Sequence, residues 1–132
     1  MLAPNALVVV ADGTHALIYR NNGQETISLS LQETVTPHSQ THEEGLAGHS
    51  PVEQTPHDRS ESGFITQLVH KLNALALTNA LPSEVVIIAD PTSLGHMRPL
   101  YHTELKKRIV RESPKTMVKS SIHDLVAALS KP

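Results

Sequence analysis

The strongest constraint on this chain is the order in which its hydrophobic patterns arrive. Three strand-like runs come first, then a long polar insert, then helix, strand, broken helix, strand and helix. The run Ala6-Leu7-Val8-Val9-Val10-Ala11 is apolar throughout, which marks a strand covered on both faces and therefore central. Asp12-Gly13 leads into His15-Ala16-Leu17-Ile18-Tyr19, and Asn21-Asn22-Gly23 leads into Glu25-Thr26-Ile27-Ser28-Leu29-Ser30-Leu31. Both connections carry tight-hairpin chemistry, so the three runs predict an antiparallel meander. The third run alternates apolar and polar residues, as expected of an edge strand with one wet face.

Residues 32–61 hold Pro37, Pro51 and Pro56 among Ser, Thr and Gln, with few large apolar groups. That composition predicts a long loop. From Ser62 the period changes. Phe64, Leu68, Leu72 and Leu75, with Ile65, Val69 and Ala76 beside them, recur at helical spacing. Ser60 or Ser62 is the expected cap, and Asn79 with Pro82 closes the helix. Val85-Val86-Ile87-Ile88-Ala89 reads as a buried parallel strand, reached from strand one by a right-handed crossover.

Asp90-Pro91-Thr92 opens a helical segment with Leu94, Met97 and Leu100, which Pro99 interrupts, and a second short helix follows Thr103. Ile109 and Val110 centre a fifth strand that Pro114 ends. Ser120 or Ser121 caps a last helix with Ile122, Leu125, Val126 and Leu129 in one stripe. The expected architecture is one α/β domain over residues 1–132. It has a ribonuclease-H-like three-layer fold and a mixed five-stranded sheet of order 3-2-1-4-5, with strand 2 antiparallel to the others.

At 132 residues the chain is long enough to bury such a core. Only 2% of it is aromatic, one Phe and two Tyr, so the core must rest on Leu, Val, Ile and Ala. The same scarcity excludes RNA-recognition sheets and oligonucleotide-binding barrels that stack successive bases on exposed rings. No cysteine is present, which removes disulfides and thiolate metal sites. Residues 6–11 are too few to span a bilayer, and no charged stretch precedes them as in a signal peptide. A cytoplasmic location and no membrane partner are therefore expected.

The net charge of −2 hides an asymmetry. Between residues 98 and 119, Arg98, Lys106, Lys107, Arg108, Arg111, Lys115 and Lys119 face only Glu104 and Glu112, a local excess of five positive charges. Such a segment suits phosphate, RNA or an acidic protein partner. The plainer account is that these residues solvate a helix and an edge strand.

With the elements placed, the chain resembles the bacterial host-attachment protein family, also described as bacterial relatives of the archaeo-eukaryotic release factors. The matching residues are Val8-Val9-Val10-Ala11-Asp12-Gly13 with Ala16-Leu17-Ile18-Tyr19-Arg20, then Phe64, Val85-Val86-Ile87-Ile88-Ala89-Asp90-Pro91, Leu94-Gly95 and Met97-Arg98. The resemblance covers most of the chain outside the insert. It implies the fold of the release-factor middle domain, related to ribonuclease H, and a phenotype in attachment of a bacterium to host cells. In those release factors the connection after strand three carries a Gly-Gly-Gln tripeptide that promotes peptidyl-tRNA hydrolysis. Here that connection, residues 36–49, contains no Gly-Gly-Gln, and neither Gly45 nor Gly48 has a glycine neighbour. Consecutive glycines allow close backbone approach to a substrate, so the sequence argues against release activity of that type.

Several chemistries remain to be weighed. Asp12 and Asp90 close two strands expected to be adjacent, as the carboxylates of a two-metal nuclease do. Each also has a simpler role, Asp12 in the hairpin turn and Asp90 as a helix cap. His38 and His42, with His49, His57 and several acids, could gather around a transition metal, but the His38–His42 pair, four residues apart, would converge only on a helix. No Gly-x-Ser-x-Gly elbow and no glycine-rich phosphate loop is present. His70 is expected at the core margin and His123 in solvent. A phosphate-bearing ligand would best fit the mouth formed by Asp90, Thr92, Ser93, His96 and Arg98, at a strand carboxyl end beside a helix start. The sequence thus points to a binding module with an RNA, ribosome or protein partner and no cofactor. The competing reading is a hydrolase of phosphodiester or peptidyl-tRNA bonds using Asp12, Asp90 or Gln40. The oligomeric state is left open.

Overall fold

The computed structural model describes residues 2–36 and 61–130. Five strands form one sheet: β1 (Leu7–Ala11), β2 (Ala16–Asn21), β3 (Leu29–Val35), β4 (Val85–Ala89) and β5 (Ile109–Pro114). The helices are α1 (Glu61–Leu77), α2 (Pro91–Met97), α3 (Thr103–Lys106) and α4 (Ile122–Ser130), with a 3-10 turn at Arg98–Leu100 between α2 and α3. The strand order is β3-β2-β1-β4-β5. β2 runs antiparallel to both its neighbours, while β1, β4 and β5 run parallel. The order and direction expected from the sequence are therefore those of the structure.

β1 and β4 occupy the middle of the sheet, and every residue of both is buried. Leu7, Val9 and Ala11 face a cluster with Phe64, Ile65, Leu68, Val69 and Leu72 of α1, Leu94 and Met97 of α2 and Leu105 of α3. Val8 and Val10 face the other way, toward Leu125 and Leu129 of α4, Leu2 and Tyr19. This two-faced burial explains why β1 reads as continuously apolar. With so few rings, the core depends on branched aliphatics, each contributing about 1.5–3 kcal/mol when fully buried.

α1 ends as its sequence requires. Asn79 adopts φ 63°, the left-handed conformation that Asn tolerates. Ala80 N donates to Leu75 O at 2.8 Å and Asn79 N to Ala76 O at 3.1 Å, the bond pair of a Schellman closure. Pro99 falls within the 3-10 turn, where the helical segment breaks as expected. Asn73 of α1 bridges that break, donating to Leu100 O at 3.0 Å and accepting from His102 N at 2.9 Å.

The edges differ from expectation. Strand three begins at Leu29 rather than Glu25, and it continues to Val35, so residues 32–35 of the expected loop are sheet. The cause is Asn21, which is 1% exposed. Its Oδ1 accepts from Gly23 N at 3.0 Å and Ser28 N at 2.9 Å, and its Nδ2 donates to Leu2 O and Ala3 O. These bonds hold residues 22–28 as a wide loop in place of a tight Asn-Gly turn. The alternation seen over Glu25–Leu31 is thus mostly loop.

Strand five starts at Ile109, and a bulge leaves Val110 unpaired and exposed: Val85 pairs with Ile109, Val86 with Arg111. In α4, Ser121 Oγ accepts from Asp124 N at 3.1 Å, so Ser121 is the cap. Leu125 and Leu129 carry the packing, and Ile122 of the expected stripe is exposed. The remainder of the insert, with the Ser60 and Ser62 caps expected for α1, lies outside the described side chains.

Candidate functional site

The parallel register pairs Ala11 with Ala89, so Asp12 and Asp90 leave the sheet side by side at its carboxyl edge. Each of the two acids that the sequence nominated therefore follows one of two register-paired strand ends. Both have backbone duties. Asp12 Oδ1 accepts from Thr14 N at 2.8 Å, His15 N at 2.7 Å and the Thr14 hydroxyl at 3.2 Å, and Asp12 N donates to His15 O. Burial pushes this carboxyl up, but the hydrogen bonds from Thr14 and His15 and the nearby His15 ring outweigh it and hold the group below its usual range. Asp90 caps α2: its Oδ2 accepts from Ser93 N at 3.1 Å and its carbonyl from Leu94 N at 2.9 Å. Asp90 Oδ1 is buried without a hydrogen-bond partner among the described residues. No group of three or more His, Asp or Glu residues is assembled for a metal among the described residues.

The proposed mouth is divided. Ser93 is buried under the Asp90 cap, whereas Thr92 and His96 are exposed on α2. Arg98 turns away toward β5, where its Nε donates to Glu112 Oε1 at 3.0 Å. The other Glu112 oxygen accepts from the Tyr101 hydroxyl at 3.0 Å. Arg98, Tyr101, Lys106, Ile109 and Glu112 line a cleft of about 360 Å³. Tyr101 and Glu112 did not stand out in the sequence. The available signal was that Tyr101 is one of only three Phe and Tyr residues in the chain.

The seven basic side chains of residues 98–119 are distributed over several surfaces. Arg111 is the register partner of Val86 and reaches α4, donating to Leu129 O at 3.1 Å and Ala128 O at 3.3 Å. Glu112, one residue on, is the register partner of Ile87 and faces the α1 layer with Arg98 and Tyr101. Arg108 sits at the opposite end of β5 from Pro114, bonded to Glu104 O at 2.7 Å and Asn79 Oδ1 at 2.9 Å. Lys107 pairs with Glu104 at 3.1 Å and holds that exposed carboxyl below its usual range. Lys106, Lys115 and Lys119 are exposed.

A wider groove of about 730 Å³ opens on the α4 side, with Leu2, Ile27, Val86, Val110 and Leu129 among its walls and Arg111 beside them. His70 and His123 are exposed. His38, Gln40 and His42 lie outside the described residues. No helix among the described residues is long and apolar enough to cross a membrane.

Comparison with known proteins gives one family. The model described as bacterial archaeo-eukaryotic release factor family 12 matches residues 5–129. No curated protein matches the chain.

Proposed function

Because the chain belongs to bacterial archaeo-eukaryotic release factor family 12, we propose that it is a non-catalytic binding module that docks on an RNA-containing partner of the translation machinery. The observation that carries this reading is the occupation of Asp12 and Asp90. One carboxylate organises a hairpin turn and the other caps α2, so each already spends one oxygen on the backbone. A ribonuclease-H-like ancestry of the fold fits the sheet order and its two helical layers. On this reading the acidic pair survives in structural roles, the domain works in the cytoplasm, and any effect on host attachment is indirect.

The alternative is hydrolysis of phosphodiester or peptidyl-tRNA bonds. It is favoured by the adjacency of Asp12 and Asp90 and by the unpartnered Asp90 Oδ1. A capture experiment separates the two. Tagged domain is incubated in bacterial lysate with and without ribonuclease, and a variant lacking residues 36–58 is run beside it. Ribosomal or transfer RNA that disappears with ribonuclease supports the proposal. A protein that survives ribonuclease and is lost with the deletion overturns the RNA partner and makes the domain a protein adaptor. Cleavage of RNA or peptidyl-tRNA by the purified domain with magnesium or manganese, abolished in Asp90→Asn, overturns the non-catalytic assignment.

A further inference from the structure

The cleft between the 3-10 turn, α3 and β5 gathers two cations, a carboxylate, a tyrosine ring and an aliphatic wall. Glu112 has both oxygens engaged, one on Arg98 Nε and the other on the Tyr101 hydroxyl. Arg98 is thereby fixed through its inner nitrogen. Its two terminal amino groups have no partner among the described residues, and neither has the Lys106 ammonium. A guanidinium held this way presents a planar pair of donors to an anion, and the arrangement suits phosphate better than a point charge does. Two cations against one carboxylate leave the cleft positive.

The aromatic content sharpens the identity of the ligand. Of the three Phe and Tyr rings, Phe64 is 1% exposed and Tyr19 is 5% exposed. Tyr101 alone is partly open, and it lines the same cleft as Arg98 and Lys106, with Ile109 as a second apolar wall. A phosphate site beside a ring and an aliphatic wall matches one nucleotide unit, its phosphate on the cations and its base against the ring. A single ring cannot bind a run of bases, and about 360 Å³ is at the lower end of small-ligand sites.

We infer that the Arg98–Tyr101–Lys106 cleft binds one phosphate-bearing nucleotide unit, supplied by a single-stranded RNA or by a free mononucleotide. This deepens the reading of the domain as an RNA-docking module and rests on it for the RNA source.

The test is proton NMR of the intact domain titrated with hexauridylate and, separately, with uridine 5′-monophosphate. Tyr19 packs on the α4 side of the sheet and Tyr101 on the α1 side, so the two rings form an internal comparison. Tyr101 ring signals should shift upfield while those of Tyr19 stay in place. Arg98→Gln with Lys106→Ala should weaken binding about tenfold or more and reduce the salt dependence by one to two phosphate contacts. Both side chains are exposed, so the fold is retained. Lys71→Gln, at the far edge of the sheet beside Glu33, should change affinity less than about twofold. Equal affinity for the mononucleotide supports the site and identifies a free nucleotide as its ligand. RNA binding that leaves Tyr101 unmoved and survives the double substitution overturns the site while the RNA-docking reading stands. Absence of any Tyr101 shift with either ligand overturns the inference, and the ribonuclease-dependent capture then judges the RNA-docking reading independently.

Discussion

Arg111 on β5 donates to the Leu129 carbonyl at the carboxyl end of α4 at 3.1 Å, tying the only helix described on that side of the sheet to an edge strand. A cation at a helix carboxyl end also opposes the negative end of the helix dipole. Arg111→Met should therefore cost about 1–2 kcal/mol, from two lost charge-assisted bonds to half-buried carbonyls. Lys115→Ala, exposed on the same segment, should stay within about 0.5 kcal/mol. Urea denaturation measures both, and equal effects would remove the anchoring role.

Asn21 supports a larger share of the architecture. Its side chain serves two amide donors and two carbonyls while 1% exposed. Asn21→Ala should destabilise the domain by about 2–3 kcal/mol, since buried partners are left unsatisfied. Asn21→Asp should be at least as damaging, because a carboxylate would face the Leu2 and Ala3 carbonyls that now accept from Nδ2. Amide exchange at Gly23 and Ser28 should accelerate in either variant before the rest of the sheet responds.

Asp12 gives the domain an acid-sensitive turn. Its folded pKa lies below the ordinary value of 3.8, so its contribution is fully present above that value. As pH falls below it and through the folded pKa, the contribution is lost. Asp12→Asn keeps the oxygen that accepts from Thr14 and His15, and it should flatten this limb of the stability–pH curve. Asp12→Ala should cost about 1 kcal/mol at neutral pH through the lost turn bonds. An unchanged acid limb in Asp12→Asn would assign it to other carboxylates.

Two glycines should respond with opposite signs. A Cβ on Gly23 would stand 1.8 Å from the Thr26 carbonyl oxygen, so Gly23→Ala forces the wide loop to open and should cost about 1–3 kcal/mol. A Cβ on Gly95 meets nothing within 4 Å, and the residue is exposed within α2. Gly95→Ala should stabilise by about 0.5–1 kcal/mol. Thermal unfolding midpoints moving in the same direction would refute the assignment of either site.

Much of the fold was legible because burial leaves a local signature. β1 and β4 are buried on both faces, so their apolar runs declare themselves, and α1 shows its buried stripe at helical spacing. β3 and β5 were placed less accurately, since an edge strand needs no such pattern. A side chain seven residues away can decide where pairing begins, as Asn21 does for β3 through Ser28 N. The acids at the carboxyl edge were legible by position, because each follows a strand that the sequence had already located. Their occupation by turn and cap bonds was not, since it depends on backbone directions after the strand ends.

The sequence by itself determined the element order, the central strands, the break at Pro99 and the helix closure at Asn79. Each follows from an unbroken apolar run, from a helical period of 3.6, or from the conformational limits of one residue. Only the tertiary structure decided which of the seven basic residues are engaged. The pleat sets Arg111 and Glu112 on opposite faces, and the one-residue bulge at Val110 decides which face each takes, sending Arg111 to α4 and Glu112 to Arg98 and Tyr101. Charge along a chain is a one-dimensional quantity. Which charges meet depends on pleat, register and the helix that happens to lie beneath, and those are fixed only when the sheet closes around its core.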